Sequence, residues 1–237
     1  MSNYDSLGDR MKQYEDCWRL KLPRRCPKVI RIDGKAFHTF LRNAEKPFDV
    51  SVMQCMNYAA QYLIKEIGGV ARFAYIQSDE CSIVLNDHLD LETQPWFDNN
   101  IQKMVSVSSS VFGYYFNNAY SSVAACGPAY FDARVFMLPY EDELINYLIW
   151  RQQDASRNSI NLYARSMFSH AQLQGKSCAE MQDMMMNRTP PFNWNDAITW
   201  TKRGAIAVKD RYHLEIPIFT ADRNYITKLY EAGPVQP

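Results

Sequence analysis

The chain has 237 residues, 47% of them apolar, and its 26 basic and 26 acidic side chains cancel to a formal net charge of zero. That composition supports a sizeable core and excludes both global disorder and a protein that coats nucleic acid through bulk charge. No apolar run approaches the ~20 residues of a membrane span, and the N-terminus lacks a signal-like pattern, so a cytoplasmic protein with no membrane partner is expected. The six cysteines are scattered, none in a Cys-x-x-Cys pair, and the four histidines do not cluster with them. A zinc site and a disulfide framework are therefore disfavoured, and a reducing compartment fits.

Residues 5–20 read as a short polar helix, and Pro23 and Pro27 then keep the chain extended. Arg19, Lys21, Arg24, Arg25, Lys28, Arg31 and Lys35 crowd this stretch and form a candidate RNA-facing edge, or simply a solvated basic one. Residues 28–33 read as a buried strand that Asp33-Gly34 ends in a turn. From Ser51 the period changes: Val52, Met53, Met56, Ala59, Ala60, Leu63, Ile64 and Ile67 mark an amphipathic helix, capped by Asp49 or Ser51 and stopped by Gly68-Gly69. Residues 71–77 and 81–86 form a hairpin around Ser78-Asp79-Glu80. An acidic loop leads to a second helix over about 100–121, and residues 131–138 form a further strand. Beyond it come a helix over about 141–168 with a possible break near Ser156, a Met-rich helix over 177–187, and a closing hairpin over 203–209 and 212–218.

The order strand, helix, strand, strand, helix, strand predicts an α+β fold. Residues 1–138 form a palm-like split βαβ (ferredoxin-like) antiparallel sheet with helices on one face. Residues 139–237 add a helical and hairpin extension packed on the palm. In such a sheet the first strand is central, and we expect it beside the strand that opens the hairpin.

This topology brings two acids together. Asp33 ends an apolar run, and Asp79 sits at the hairpin turn. Each alone reads equally well as a turn residue. Side by side they would repel unless a cation lay between them, and Mg²⁺ takes one or two carboxylates plus substrate phosphates. The Gly34 carbonyl could add a ligand, whereas Glu80 is a weaker candidate because strand neighbours point to opposite faces. Lys35, Lys46 and Lys103 are candidate phosphate contacts. Lys103 lies in the first turn of a helix, where a cation does not help the helix itself. His38 beside Phe37 reads first as a packed side chain, and Met184-Met185-Met186 as core or subunit interface.

Several segments taken together resemble the histidine-tRNA guanylyltransferase family. They are Ile30-Arg31-Ile32-Asp33-Gly34-Lys35 with Phe37-His38, Lys46-Pro47, Gln77-Ser78-Asp79-Glu80, Phe131-Asp132-Ala133-Arg134-Val135, Trp150-Arg151-Gln152, Asn161-Leu162-Tyr163 and Lys202-Arg203-Gly204. The resemblance runs in order from about residue 28 to 208. It implies a polymerase-like palm, two Mg²⁺ ions held by Asp33, the Gly34 carbonyl and Asp79, and a catalytic group completed by Glu80, Lys46 and Ser78. It implies nucleotide or triphosphate contacts from Lys35, Ala36, Phe37, His38, Lys46, Asp49, Lys103 and Asn161. It also implies RNA contacts from Arg24, Arg25, Arg134, Lys202 and Arg203. ATP and GTP are then substrates, tRNA the partner, and a homotetramer the expected assembly.

Where guanylyltransferases of eukaryotes carry His-Ile-Asn-Asn-Leu-Tyr-Asn, this chain reads Asn158-Ser159-Ile160-Asn161-Leu162-Tyr163-Ala164, and a basic pair expected before Lys103 reads Asp98-Asn99-Asn100. The pattern looks more like the bacterial and archaeal members that repair tRNA 5′ ends by template-directed 3′–5′ addition, through an adenylylated 5′-phosphate. Addition of a single G to histidine tRNA is the alternative. A palm-type nucleotide cyclase and a non-enzymatic RNA-binding module are more distant ones; residues 71–86 lack the aromatic-glycine pattern of the latter.

Overall fold

The computed structural model describes residues 6–121 and 127–232. Helix α1 (Leu7–Asp16) is capped by Ser6, whose hydroxyl accepts from the Asp9 N–H at 3.1 Å, and it buries none of its side chains. Strand β1 (Lys28–Gly34) follows, then a four-residue helix, α2 (Phe37–Phe40). Helix α3 (Val50–Ile67) buries the apolar stripe read from its period, and Asp49 caps it by accepting from the Ser51 and Val52 N–H groups at 2.8 and 3.1 Å. The hairpin β2 (Ala71–Gln77) and β3 (Glu80–Leu85), helix α4 (Ile101–Tyr120) with Asn100 as its cap, and β4 (Phe131–Met137) complete the palm.

The strand order is β4-β1-β3-β2, and every pairing is antiparallel. β1 therefore lies beside the closing strand of the hairpin, not the opening one as expected. The reason is the crossover: α3 carries the chain past a one-strand gap before β2 begins, and β3 returns to fill that gap.

α3 and α4 cover one face of the sheet, over Ile30, Ile32, Ile76, Cys81 and Ile83. The other face, with Val29, Phe73, Tyr75 and Val84, is sealed by the C-terminal residues. These run as α5 (Glu141–Met167), α6 (His170–Leu173), α7 (Cys178–Met186), α8 (Thr199–Arg203), β5 (Ala205–Ala207), β6 (Tyr212–His213) and α9 (Arg223–Ala232). β5 pairs with β2 and β6 with β5, so the closing hairpin widens the palm sheet itself. That hairpin is much shorter than its sequence implied, because a turn closed by Val208 N–H to the Arg211 carbonyl is followed by irregular chain through Pro217. α5 runs unbroken through Ser156. The Ser156 hydroxyl donates to the Lys202 carbonyl at 2.9 Å instead of competing for its own helix backbone.

Candidate active site

The end of β1 meets the hairpin turn at one hydrogen bond: the Gly34 N–H donates to the Asp79 carbonyl at 3.1 Å. Ser78 makes the turn tight by adopting a left-handed conformation at φ 49°. In register, Asp33 lies directly opposite Glu80 on β3 and opposite Asp132 on β4. Asp132, Asp33 and Glu80 thus form one row across the sheet, with Asp79 in the adjoining turn.

The charges in this row are compensated unequally. Asp132 pairs with Arg134 at 3.2 Å on the surface. Glu80 is buried and takes two bonds from the Arg151 fork, at 2.8 Å from Nε and 2.6 Å from a terminal nitrogen. Arg151 also holds Asp154 at 3.0 Å. Asp33 has no hydrogen-bond or ion-pair partner for its carboxylate among the described residues. Burial pushes the Asp79 carboxyl above its ordinary range and the neighbouring charge of Asp33 pushes it further, while its own backbone N–H and Ser78 pull it back.

Two acids held close with one unpaired call for a cation, and the donors present are hard oxygens that suit Mg²⁺. No group of three or more His, Cys, Asp or Glu side chains placed to hold a metal occurs among the described residues. A cation here would have two carboxylates and a backbone oxygen to bind, those of Asp33, Asp79 and the Gly34 carbonyl. Glu80 differs from them in being paired at both oxygens with Arg151.

Gly34 is required sterically. A Cβ there would lie 2.1 Å from the Phe37 ring, which is wedged against Phe40, Phe116 and Phe131. Phe37 is thus a core side chain, and any nucleotide contact it makes must come from its backbone. His38 is exposed, not packed: on α2, Phe37 and Phe40 take the inward positions three apart and leave His38 outside. Ala36 is left-handed at φ 53°, and Lys35 is exposed, with its ammonium 5.9 Å from the Tyr130 ring centre.

Other candidates fare differently. Lys46 donates to the Leu41 carbonyl at 2.8 Å but stays exposed. Asp49 is spent on capping, since its second oxygen accepts from the Glu45 N–H at 3.1 Å. Lys103 is exposed in the first turn of α4, 5.9 Å from the Phe97 ring centre. Asn161 donates to the Arg157 carbonyl of its own helix at 2.9 Å, and among the described residues it makes no hydrogen bond to Asp33 or Asp79. Lys202 is a correction: it is buried and donates to the Asn195 carbonyl over Trp194, so it is not available to RNA. Arg203 is half-buried, with its carbonyl bonded by Tyr75 at 2.7 Å.

The N-terminal basic stretch is also not one free surface. Lys28 is buried against Asp87 at 2.8 Å, Lys21 pairs with Asp98, and Arg19 with Asp16. Arg24 donates to the Thr93 carbonyl at 3.2 Å, and the Arg25 N–H donates to Asp87. Arg31, read from sequence as part of that basic stretch, belongs beside the acids. It sits opposite Arg134 in the row next to the acids, and its buried Nε has no partner among the described residues. Like charges placed directly across strands are unfavourable, so an anion between these arginines would relieve them. The signal was present, because Arg31 precedes Asp33 by two and shares its strand face.

The family model for tRNAHis guanylyltransferase matches residues 8–139. A bacterial tRNA(His) guanylyltransferase-like protein in complex with ATP superimposes with a TM-score of 0.91, at 43% identity over 95% of this chain and 99% of that one. Another such structure, in complex with GTP, has a TM-score of 0.81 at 40% identity over the same shares. The human probable tRNA(His) guanylyltransferase is 28% identical over 201 residues, 77% of this chain and 64% of its own length. The matched region is thus slightly under two thirds of that relative.

Proposed function

Because the chain belongs to the tRNAHis guanylyltransferase family, a family of nucleotidyltransferases, we propose that it adds nucleotides to the 5′ end of tRNA in the 3′–5′ direction, directed by the opposing template strand. The observation that carries this reading is the convergence of Asp33, Gly34 and Asp79 through the 3.1 Å bond between Gly34 and Asp79. Support for ATP and GTP as substrates comes from the two similar bacterial structures, which were solved in complex with those nucleotides.

In this reading a 5′-monophosphate end attacks the α-phosphate of ATP, releases pyrophosphate and becomes a 5′-5′ adenylylated RNA. The 3′-hydroxyl of the incoming nucleotide then attacks the activated 5′-phosphate and releases AMP. A 5′-triphosphate end needs no activation and releases pyrophosphate. Two Mg²⁺ ions, when bound, supply a lowered pKa at the attacking hydroxyl and a counter-charge for the triphosphate. The chain's own residues do the rest. Asp33, Asp79 and the Gly34 carbonyl fix where that chemistry occurs. Arg31, Arg134, Lys35 and Lys103 offset phosphate charge, and the rigid sheet end keeps the reacting groups aligned.

The experiment is an incorporation assay with 5′-truncated tRNAs that differ in the template base, each offered every nucleotide in turn. Addition that follows Watson–Crick pairing supports the proposal. Guanosine addition regardless of template overturns it. Assembly as a homotetramer belongs to the same reading, supported by the exposed stripe Leu7, Met11 and Tyr14 on α1. Light scattering that gives a monomer would remove that part.

A further inference from the structure

We propose that Arg151 is a positioning residue that withdraws Glu80 from metal binding, so that the site presents two carboxylates instead of three. This rests on the metal-binding reading above. Asp33 and Glu80 are direct cross-strand partners, and Cβ atoms so placed are ~4.5–5.5 Å apart, close enough for two carboxylates to share one cation. Glu80 left free would be a natural third ligand.

The Arg151 fork prevents this by occupying both Glu80 oxygens, and the pair is almost fully buried at 6% and 8% exposure. The guanidinium is held in place from two further sides. Asp154 accepts from it at 3.0 Å, and the Trp150 ring lies 4.5 Å from its central carbon. A planar fork fixed in this way cannot swing off its carboxylate as a lysine would. The functional consequence is a cation held loosely enough to keep coordination positions open for phosphate oxygens. A third carboxylate would fill one of those positions and bind the ion before substrate arrived.

The test is Mn²⁺ binding to the nucleotide-free protein by titration calorimetry, with thermal melting to confirm folding. Glu80→Gln should bind Mn²⁺ within about twofold of wild type, whereas Arg151→Met should bind about tenfold tighter or more, because it releases a carboxylate beside Asp33. Arg151→Met/Glu80→Gln should return to the wild-type affinity. A role for Arg151 in folding alone would lower melting temperature without tightening Mn²⁺. Weakening by tenfold in Glu80→Gln makes Glu80 a ligand and overturns the inference, as does unchanged or weaker binding in folded Arg151→Met. If Arg151→Met does not fold, the Glu80→Gln arm decides alone, since it keeps Arg151 paired with Asp154. Wild type that binds no Mn²⁺ overturns the metal reading itself, a separate outcome from loss in Glu80→Gln only.

Discussion

Replacing Gly34 with Ala tests how the site is built, because the atoms nearest the added methyl group all belong to one ring. The new Cβ would lie 2.1, 2.5 and 2.6 Å from three atoms of the Phe37 ring. Carbon atoms settle at ~3.5–4.0 Å, so the ring must withdraw by more than an ångström. It has little room to do so, being 3% exposed and packed at 5.0, 5.6 and 5.1 Å between centroids on Phe40, Phe116 and Phe131. Overpacking of this kind costs about 1–3 kcal/mol. In a chain of this size each kcal/mol lowers the melting temperature by about 2–4 °C. Phe37→Leu removes the obstacle, so Gly34→Ala/Phe37→Leu should be less destabilised than the sum of the single changes by about 0.5–3 kcal/mol. The four proteins are compared by denaturant unfolding, with nucleotide incorporation measured in parallel. Additive losses, or a Gly34→Ala protein that melts like wild type, would refute the claim that the Phe37 ring seats on Gly34.

Asp33→Ala and Asp79→Ala should each lose orders of magnitude in nucleotide incorporation while remaining folded by circular dichroism; near-normal incorporation by either removes the catalytic assignment. The Asp79 carboxyl has a folded pKa raised by burial and by Asp33, so the fold disfavours its charged form. That penalty is absent below the unfolded pKa and complete above the folded one. In metal-free buffer, Asp79→Asn should therefore gain melting temperature over wild type as pH rises from acidic to neutral, and a constant offset would contradict the shift. Asp49→Ala should cost about 1–2 kcal/mol through loss of the α3 cap. ATP affinity of the folded variant, measured by calorimetry, should not change if capping is the sole task of Asp49.

The parts of the fold that were legible are those where local pattern and tertiary burial agree. The stripe from Val52 to Ile67 and the apolar runs of β1, β2 and β3 carry their own period, and Asp33 and Asp79 were visible because each interrupts such a run. Neighbourhood across the sheet was less legible, since β3 entering between β1 and β2 is a property of the crossover and not of any short segment. Arg151 was legible only as part of the Trp150-Arg151-Gln152 segment, and its pairing was not, because its partner Glu80 lies 71 residues away. Lys202 misled for the opposite reason: a lysine beside an arginine reads as surface charge, while its ammonium is buried over the Trp194 ring and bonded to the Asn195 carbonyl. α9 was missed altogether. Its short stripe, Ile226 and Tyr230, acquires meaning once Arg72 is seen donating to the carbonyls of Tyr230 and Glu231.

The clasp of Arg72 on α9 bears on the order in which the molecule can mature. Asp33 and Gly34 end β1 and Asp79 lies in the hairpin turn, all within the first third of the chain, so the ribosome delivers them early. The face of those strands that carries Val29, Phe73, Tyr75 and Val84 has nothing to lie against until α5 and, much later, α9 have been made. During synthesis the nascent palm therefore carries an uncovered apolar side from the completion of β3 until α5 follows, and a partly covered one until α9. A holdase chaperone that shields this side until Arg72 can engage α9 would raise the yield of native protein without touching the site.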